Sequence, residues 1–242
     1  MTGRRLFAEL LGTAGLLLAV VGSGVTASTD GVASAQLFQH AVVVGVALAA
    51  LIVTLGPISG AHFNPAVTLV DAVFGGLGWR LAAGYVTAQL VGAVAGVITA
   101  NLLFGMPAVA LGTTQRVGGA LAASEAIATF GLLLVIFGVV RSGRTGAVPA
   151  AVGAWVGAAI YFTPSASFAN PAVTVARALT DSYTGIHPAG VPAFVAAQLL
   201  AAAAAAAVVH LLIRPSPATA RDVVVPSRLA DDVEMIGTKE RS

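Results

Sequence analysis

Apolar residues run along the chain in six long stretches, about 6–27, 37–56, 79–104, 119–140, 147–163 and 191–213, with short connections between them. A helix needs roughly 20 apolar residues to cross a hydrocarbon core of about 30 Å, so the pattern predicts six membrane-spanning helices. Two shorter apolar segments break the series. Ala66–Phe74 follows an irregular stretch with Gly56, Pro57 and Gly60, which is expected to end the second span. Asn64 suits an N-cap, and Pro65 suits the first helical position, where no amide donor is needed. A capped apolar helix less than half the length needed to cross reads as a re-entrant half-helix, and Asn170 with Pro171 repeats the plan. The expected fold class is an all-α membrane protein of six transmembrane helices plus two re-entrant half-helices.

From Pro215 onward the chain turns polar, and 214–242 holds five basic and five acidic residues. We expect one membrane-embedded domain over 1–213 and a solvated, poorly ordered cytoplasmic tail over 214–242. With both termini inside, the inner side carries Arg4, Arg5, Arg80, Arg141, Arg144 and five tail cations, against Arg116 and Arg177 outside. The excess fits the positive-inside rule and predicts a multi-pass protein of the cell (inner) membrane with both termini cytoplasmic.

Composition removes most alternatives. The 242 residues are 57% hydrophobic and 9% charged, where soluble domains are about 25% charged. Without cysteine there is no disulfide framework, thiolate metal site or cysteine catalysis. No zinc-ligand pair, phosphate loop or nucleophile–base pair stands at a set spacing, so no enzyme, metal or cofactor is expected. A formal charge of +2 without an interleaved basic patch gives no case for nucleic acid.

The chain is also self-similar. FAELLGTAGLLL from Phe7 matches ASEAIATFGLLL from Ala123 at a constant offset, pairing Glu9 with Glu125 and Gly15 with Gly131. NPAVT stands at Asn64–Thr68 and again at Asn170–Thr174, and TAQLV at 87–91 echoes AAQLL at 196–200, pairing Gln89 with Gln198. Two copies of a three-span unit, about 5–105 and 119–213, must enter the membrane from opposite sides, as inverted repeats. Their NPA segments then approach the midplane from opposite faces. Irregular backbone at that depth is tolerated only inside protein or along a water-filled path. The positive helix N-termini repel cations there. The amides of Asn64 and Asn170 can donate to a neutral solute, and carbonyls of about 60–63 and 166–169 can accept from it.

Taken together, AELLGT near the start, SGAHFNPAV with His62, the second NPA and the paired Glu and Gln residues resemble the aquaporin, or major intrinsic protein, family. The likeness covers about 5–213. It implies the six-span, two-half-helix fold, a pore in each subunit lined at Asn64, Pro65, Ala66, Asn170, Pro171 and Ala172, and usually a homotetramer in membrane lipid. It further implies that Glu9 and Glu125 hold the carbonyl-bearing loops in place. These are the only carboxylates well inside spans, with no Lys or Arg at comparable depth. A proton relay between them, serving a coupled secondary transporter, is the rival reading. His62 lines the inner vestibule by resemblance, or else packs or caps.

One departure bears on selectivity. Typical members follow the second NPA at once with Arg, whereas this chain has Val173, and Arg177 comes one helical turn further along. The remaining filter positions transfer by spacing to Val44 and Ser167, with Val156, Gly157 or Ala158 in the fifth span, and Gly157 is taken as the representative. Small apolar walls predict a wide, weakly polar constriction. The expected function is a passive channel for uncharged polyols, urea-like molecules, metalloid hydroxides and water. Bacterial relatives with NPAV in the second half add arsenicals as candidates by resemblance alone. A water-selective channel with Arg177 repacked into the constriction is the alternative.

Overall fold

The computed structural model describes residues 2–29 and 31–213, the Ile213 side chain excepted; the expected tail over 214–242 lies outside the described residues. Among these described residues eight α-helices follow one another: α1 (Thr2–Ala27), α2 (Ala33–Ser59), α3 (Pro65–Val73), α4 (Trp79–Leu103), α5 (Gly119–Arg141), α6 (Val148–Phe162), α7 (Pro171–Ala176) and α8 (Val191–Ile213). Short 3-10 turns stand at Thr145–Ala147, Arg177–Leu179 and Pro188–Gly190. Six helical runs among the described residues are long and apolar enough to cross a membrane, α6 reaching that length together with the 3-10 turn Thr145–Ala147 before it. The other two, α3 and α7, are the expected half-helices.

The second span differs from its expected end. It runs through Pro57 to Ser59 and stops only at Gly60, which takes a left-handed φ of 87°. Proline inside a helix leaves one carbonyl without its donor, a small loss in a final turn whose carbonyls are already losing partners. Gly60 then supplies the left-handed residue on which helices commonly end.

The two repeats assemble in the same way. In the first, α1 packs on α2 and α4; in the second, α5 packs on α6 and α8; α2 against α6 joins them. Each half-helix also leans on the third span of the opposite repeat, α3 on α8 and α7 on α4. Close approach of α1 and α4 depends on two glycines. A Cβ on Gly92 would lie 2.3 Å from the Leu10 carbonyl oxygen, and one on Gly96 2.3 Å from that of Ala14. Helix association in lipid rests on such backbone proximity, because burial from lipid gives little drive of its own. Large apolar side chains remain exposed on the outer faces of the bundle, among them Val46, Val53, Leu200 and Leu211, the surface a lipid solvent would cover.

Candidate functional site: a cavity between two half-helices

Asn64 and Asn170 begin α3 and α7 with the same geometry. Each side-chain oxygen accepts from the backbone N–H two residues on, Ala66 and Ala172, at 2.9 Å, and each is followed by proline in the first helical position. The amide nitrogens reach across the repeat boundary. Asn64 Nδ2 donates to the Ala169 carbonyl at 2.8 Å, and Asn170 Nδ2 donates to the Phe63 carbonyl at 2.7 Å. One N–H of each carboxamide is left for anything that passes.

The loops before the half-helices are held in an unusual backbone. Ala61 and Phe63 in one, and Ala166, Ser167 and Ala169 in the other, have φ between 36° and 56°. Each such non-glycine residue costs about 1–3 kcal/mol and persists only when its surroundings impose it. Glu9 and Glu125 do so. Glu9 accepts from the backbone N–H groups of His62 (3.0 Å) and Phe63 (2.8 Å), from the Ser59 hydroxyl (2.7 Å) and from Gln89 Nε2 (2.8 Å). Glu125 accepts from the N–H groups of Phe168 (2.9 Å) and Ala169 (2.8 Å) and from Gln198 Nε2 (2.7 Å). Gln89 and Gln198 donate onward to the Thr68 and Thr174 hydroxyls at 2.9 and 2.8 Å. Both carboxylates are fully buried. With the amides turned onto them, the carbonyls of Ala61, His62, Ala166, Ser167 and Phe168 accept nothing among the described hydrogen bonds.

A cavity runs between the loops, bounded by His62 toward one end and by Arg177 and His40 toward the other. Its space, about 60 Å³, holds a short file of waters rather than a bulk lumen. Asn64, Asn170 and His62 line it. Pro65, Ala66, Pro171 and Ala172 stay behind the wall as buried helix starts. His62 is fixed by Thr68 Oγ1 at 3.1 Å from its Nδ1, by Tyr85 edge-on at 5.3 Å, and by the Asp71 carboxylate 3.8 Å from its Nε2. It is a cavity-lining residue and a packed one at once.

Val44, Ser167 and Val173 line the cavity. Gly157 does not, and that expectation is corrected. It faces α2, where a Cβ would stand 3.0 Å from the Ala41 carbonyl oxygen, and it borders a groove on the outside of the bundle. Val156 and Ile160 take the wall instead. Helix register decides the point: residues four apart share a face, so a one-residue error in spacing turns the side chain by 100°.

Three lining residues carry more than the sequence disclosed. Arg177 opens the 3-10 turn after α7, is 2% exposed and lines the cavity. Its Nε donates to the Thr184 carbonyl, and its guanidinium carbon stands 3.4 Å from the centre of the Phe168 ring. Arg116 lies on the same ring at 5.3 Å, but its nitrogens are spent on the carbonyls of Gly185, Ser165 and Tyr183. His40 is buried with Ser23 Oγ 2.7 Å from its Nδ1. The four-residue step from Val173 to Arg177 was the available signal for Arg177; His40 and Phe168 had none beyond their positions in the repeat. Segment 105–118 closes over this end through Ala110 and Gly112, whose N–H groups donate to the Leu179 and Ala178 carbonyls. Hydrogen bonds from the Thr113 hydroxyl and then its backbone N–H hold the Asp181 carboxyl below its ordinary range. No cluster of potential metal ligands exists among the described residues.

Residues 2–169 match the family described as Major intrinsic protein. The chain belongs to that family. It is 45% identical over 214 residues to the aquaglyceroporin AqpS of Rhizobium meliloti (strain 1021), covering 88% of this chain and 91% of that one. It is 35% identical over 199 residues to the aquaporin NIP1-1 of Zea mays, covering 76% and 67%. Among solved structures, the aquaglyceroporin from Plasmodium falciparum superposes with a TM-score of 0.72 over 89% of this chain and 98% of that one, at 22% identity, and so shares the fold. This major intrinsic protein is a multi-pass membrane channel for small solutes and water, and not an enzyme.

Proposed function

We propose that this channel passes uncharged solutes larger than water, including polyols, urea-like molecules and metalloid hydroxides, together with water itself. The observation that carries the reading is the cavity wall at Val173. Val44, Val156 and Ile160, all aliphatic, also line the cavity, with the buried Ser167 hydroxyl as a polar group without a partner. Pore diameter and lining donors select among neutral solutes, and an aliphatic residue at 173 puts no cation and no fixed donors at that point of the wall. The name of the similar AqpS supports glycerol-like cargo. Arsenicals stay on the candidate list through the resemblance of the NPAV second motif.

Both termini lie in the cytoplasm of a cell-membrane protein, which makes the His62 end inner and the Arg177 end outer. The assembly is a homotetramer in lipid, to be read by cross-linking in the membrane. A coupled transporter is disfavoured because both buried glutamates are consumed by the loops they hold.

Arg177 in the cavity wall favours a second reading, a water-selective channel. Stopped-flow light scattering on proteoliposomes separates the two, using glycerol, urea and an uncharged arsenical beside water. Solute flux in the native protein that is lost in Val173→Arg, with water flux kept, is expected. Water flux alone in the native protein selects the second reading.

A further inference from the structure

Arg177 is a buried charge that makes no ion pair among the described residues, and its described hydrogen bond uses Nε alone. A guanidinium has five N–H donors, and its two terminal nitrogens carry four of them. The neighbouring groups do not pair with it: the Phe168 face attracts a cation but bears no charge, Arg116 on the same ring is also cationic, and the Glu125 carboxylate, which attracts Arg177 through space, is bonded to Phe168, Ala169 and Gln198 instead. Arg177 nevertheless lines the cavity, one helical turn beyond Val173. A buried, unpaired cation is costly unless the path beside it supplies water or a solute.

We infer that Arg177 sets the charge selectivity of this channel, separately from the size selectivity set at Val173. Clamped between the Thr184 carbonyl and the Phe168 ring, it presents a fixed positive charge and free donors at one mouth. Solutes meet that charge first or last, and the aliphatic constriction one turn away. The positive field of α7 acts at its other end, because it falls off within the first turn after Asn170, while Arg177 follows the last residue of the helix, Ala176. Splitting the two jobs between two turns lets the narrowest part be wide enough for a bulky neutral solute while a cation of the same size is rejected.

The inference rests on the channel reading above, and its test uses urea and guanidinium, which share a planar shape and differ in charge. Flux of each is measured into proteoliposomes holding the native protein, Arg177→Gln or Arg177→Lys, with water flux as the indicator of an open pore. The native protein is expected to reject guanidinium. Arg177→Gln should raise guanidinium flux, taken relative to the water flux of the same vesicles, by about tenfold or more, the scale on which a one-signed cleft alters local ion concentration. Arg177→Lys should remain tight to guanidinium.

Guanidinium rejection by an open Arg177→Gln pore overturns the inference. So does an equal leak in the Gln and Lys variants, or loss of water flux in both, each of which assigns Arg177 to holding Phe168 and Thr184. Native vesicles that pass water but not urea defeat the broad-solute reading instead, and guanidinium flux in Arg177→Gln still decides the role of the charge.

Discussion

At the residue scale the carboxylates carry the strained loops, and their substitution has a definite direction. Gln in place of Glu125 offers one oxygen and one NH2 where Phe168, Ala169 and Gln198 all point donors. At least one buried N–H is orphaned, at about 1–3 kcal/mol. Glu9 accepts four such bonds, so Glu9→Gln is expected to lower the detergent melting temperature more than Glu125→Gln does. Both should reduce water flux. Melting unchanged in either variant would remove the glutamates from the support of the loops. These two residues, with Gln89 and Gln198, were legible in the sequence because the repeat printed each of them twice. His40 and Phe168 were not, and Arg177 only as the residue one turn beyond Val173, because each owes its final place to one loop's path, and nothing in the chain states that path. The Gly157 error has a different source: spacing locates a turn of α6, but only packing against α2 fixes which residue of that turn faces the cavity.

At the element scale, apolar length was sufficient to place all eight helices, and caps placed the starts of α3 and α7. What length could not show was how closely the spans approach. The α1–α4 interface depends on backbone meeting backbone at Gly92 and Gly96, so Gly92→Val must push the helices apart or break α4. Overpacking of this kind costs about 1–3 kcal/mol or more even where side chains can yield, and a carbonyl oxygen at 2.3 Å yields only with its helix. Gly138→Ala on α5 is the matched control, since a Cβ there meets nothing within 4 Å. Thermal unfolding in detergent should show a large loss for Gly92→Val and little change for Gly138→Ala. Equal behaviour of the two would mean that α1 and α4 tolerate separation. The end of α2 at Ser59 rather than before Pro57 fits the same view: a local breaker signal gives way when the next residue able to adopt a left-handed turn is Gly60.

At the scale of the whole molecule, neither repeat is complete alone. Asn64 needs the Ala169 carbonyl and Asn170 needs that of Phe63, while α3 leans on α8 and α7 on α4. A separated first repeat would carry a half-helix with a free carboxamide, an orphaned Phe63 carbonyl and no third-span support from its partner. Each unsatisfied polar group inside hydrocarbon costs several kcal/mol. The Glu9 clamp on His62 and Phe63 is internal to its own repeat and survives the separation, so the loop keeps its shape but not its surroundings. Residues 1–118 expressed alone are therefore expected to insert, yet to conduct no water and to be cut rapidly by protease near the first NPA segment. Co-expression of 1–118 with 119–242 should restore both flux and protection, because the second repeat brings the Ala169 carbonyl, the Asn170 carboxamide and the α8 face that the first repeat lacks. Conduction by 1–118 alone, or protection without its partner, would show that the cross-repeat hydrogen bonds and half-helix packing are not what closes the wall of the pore.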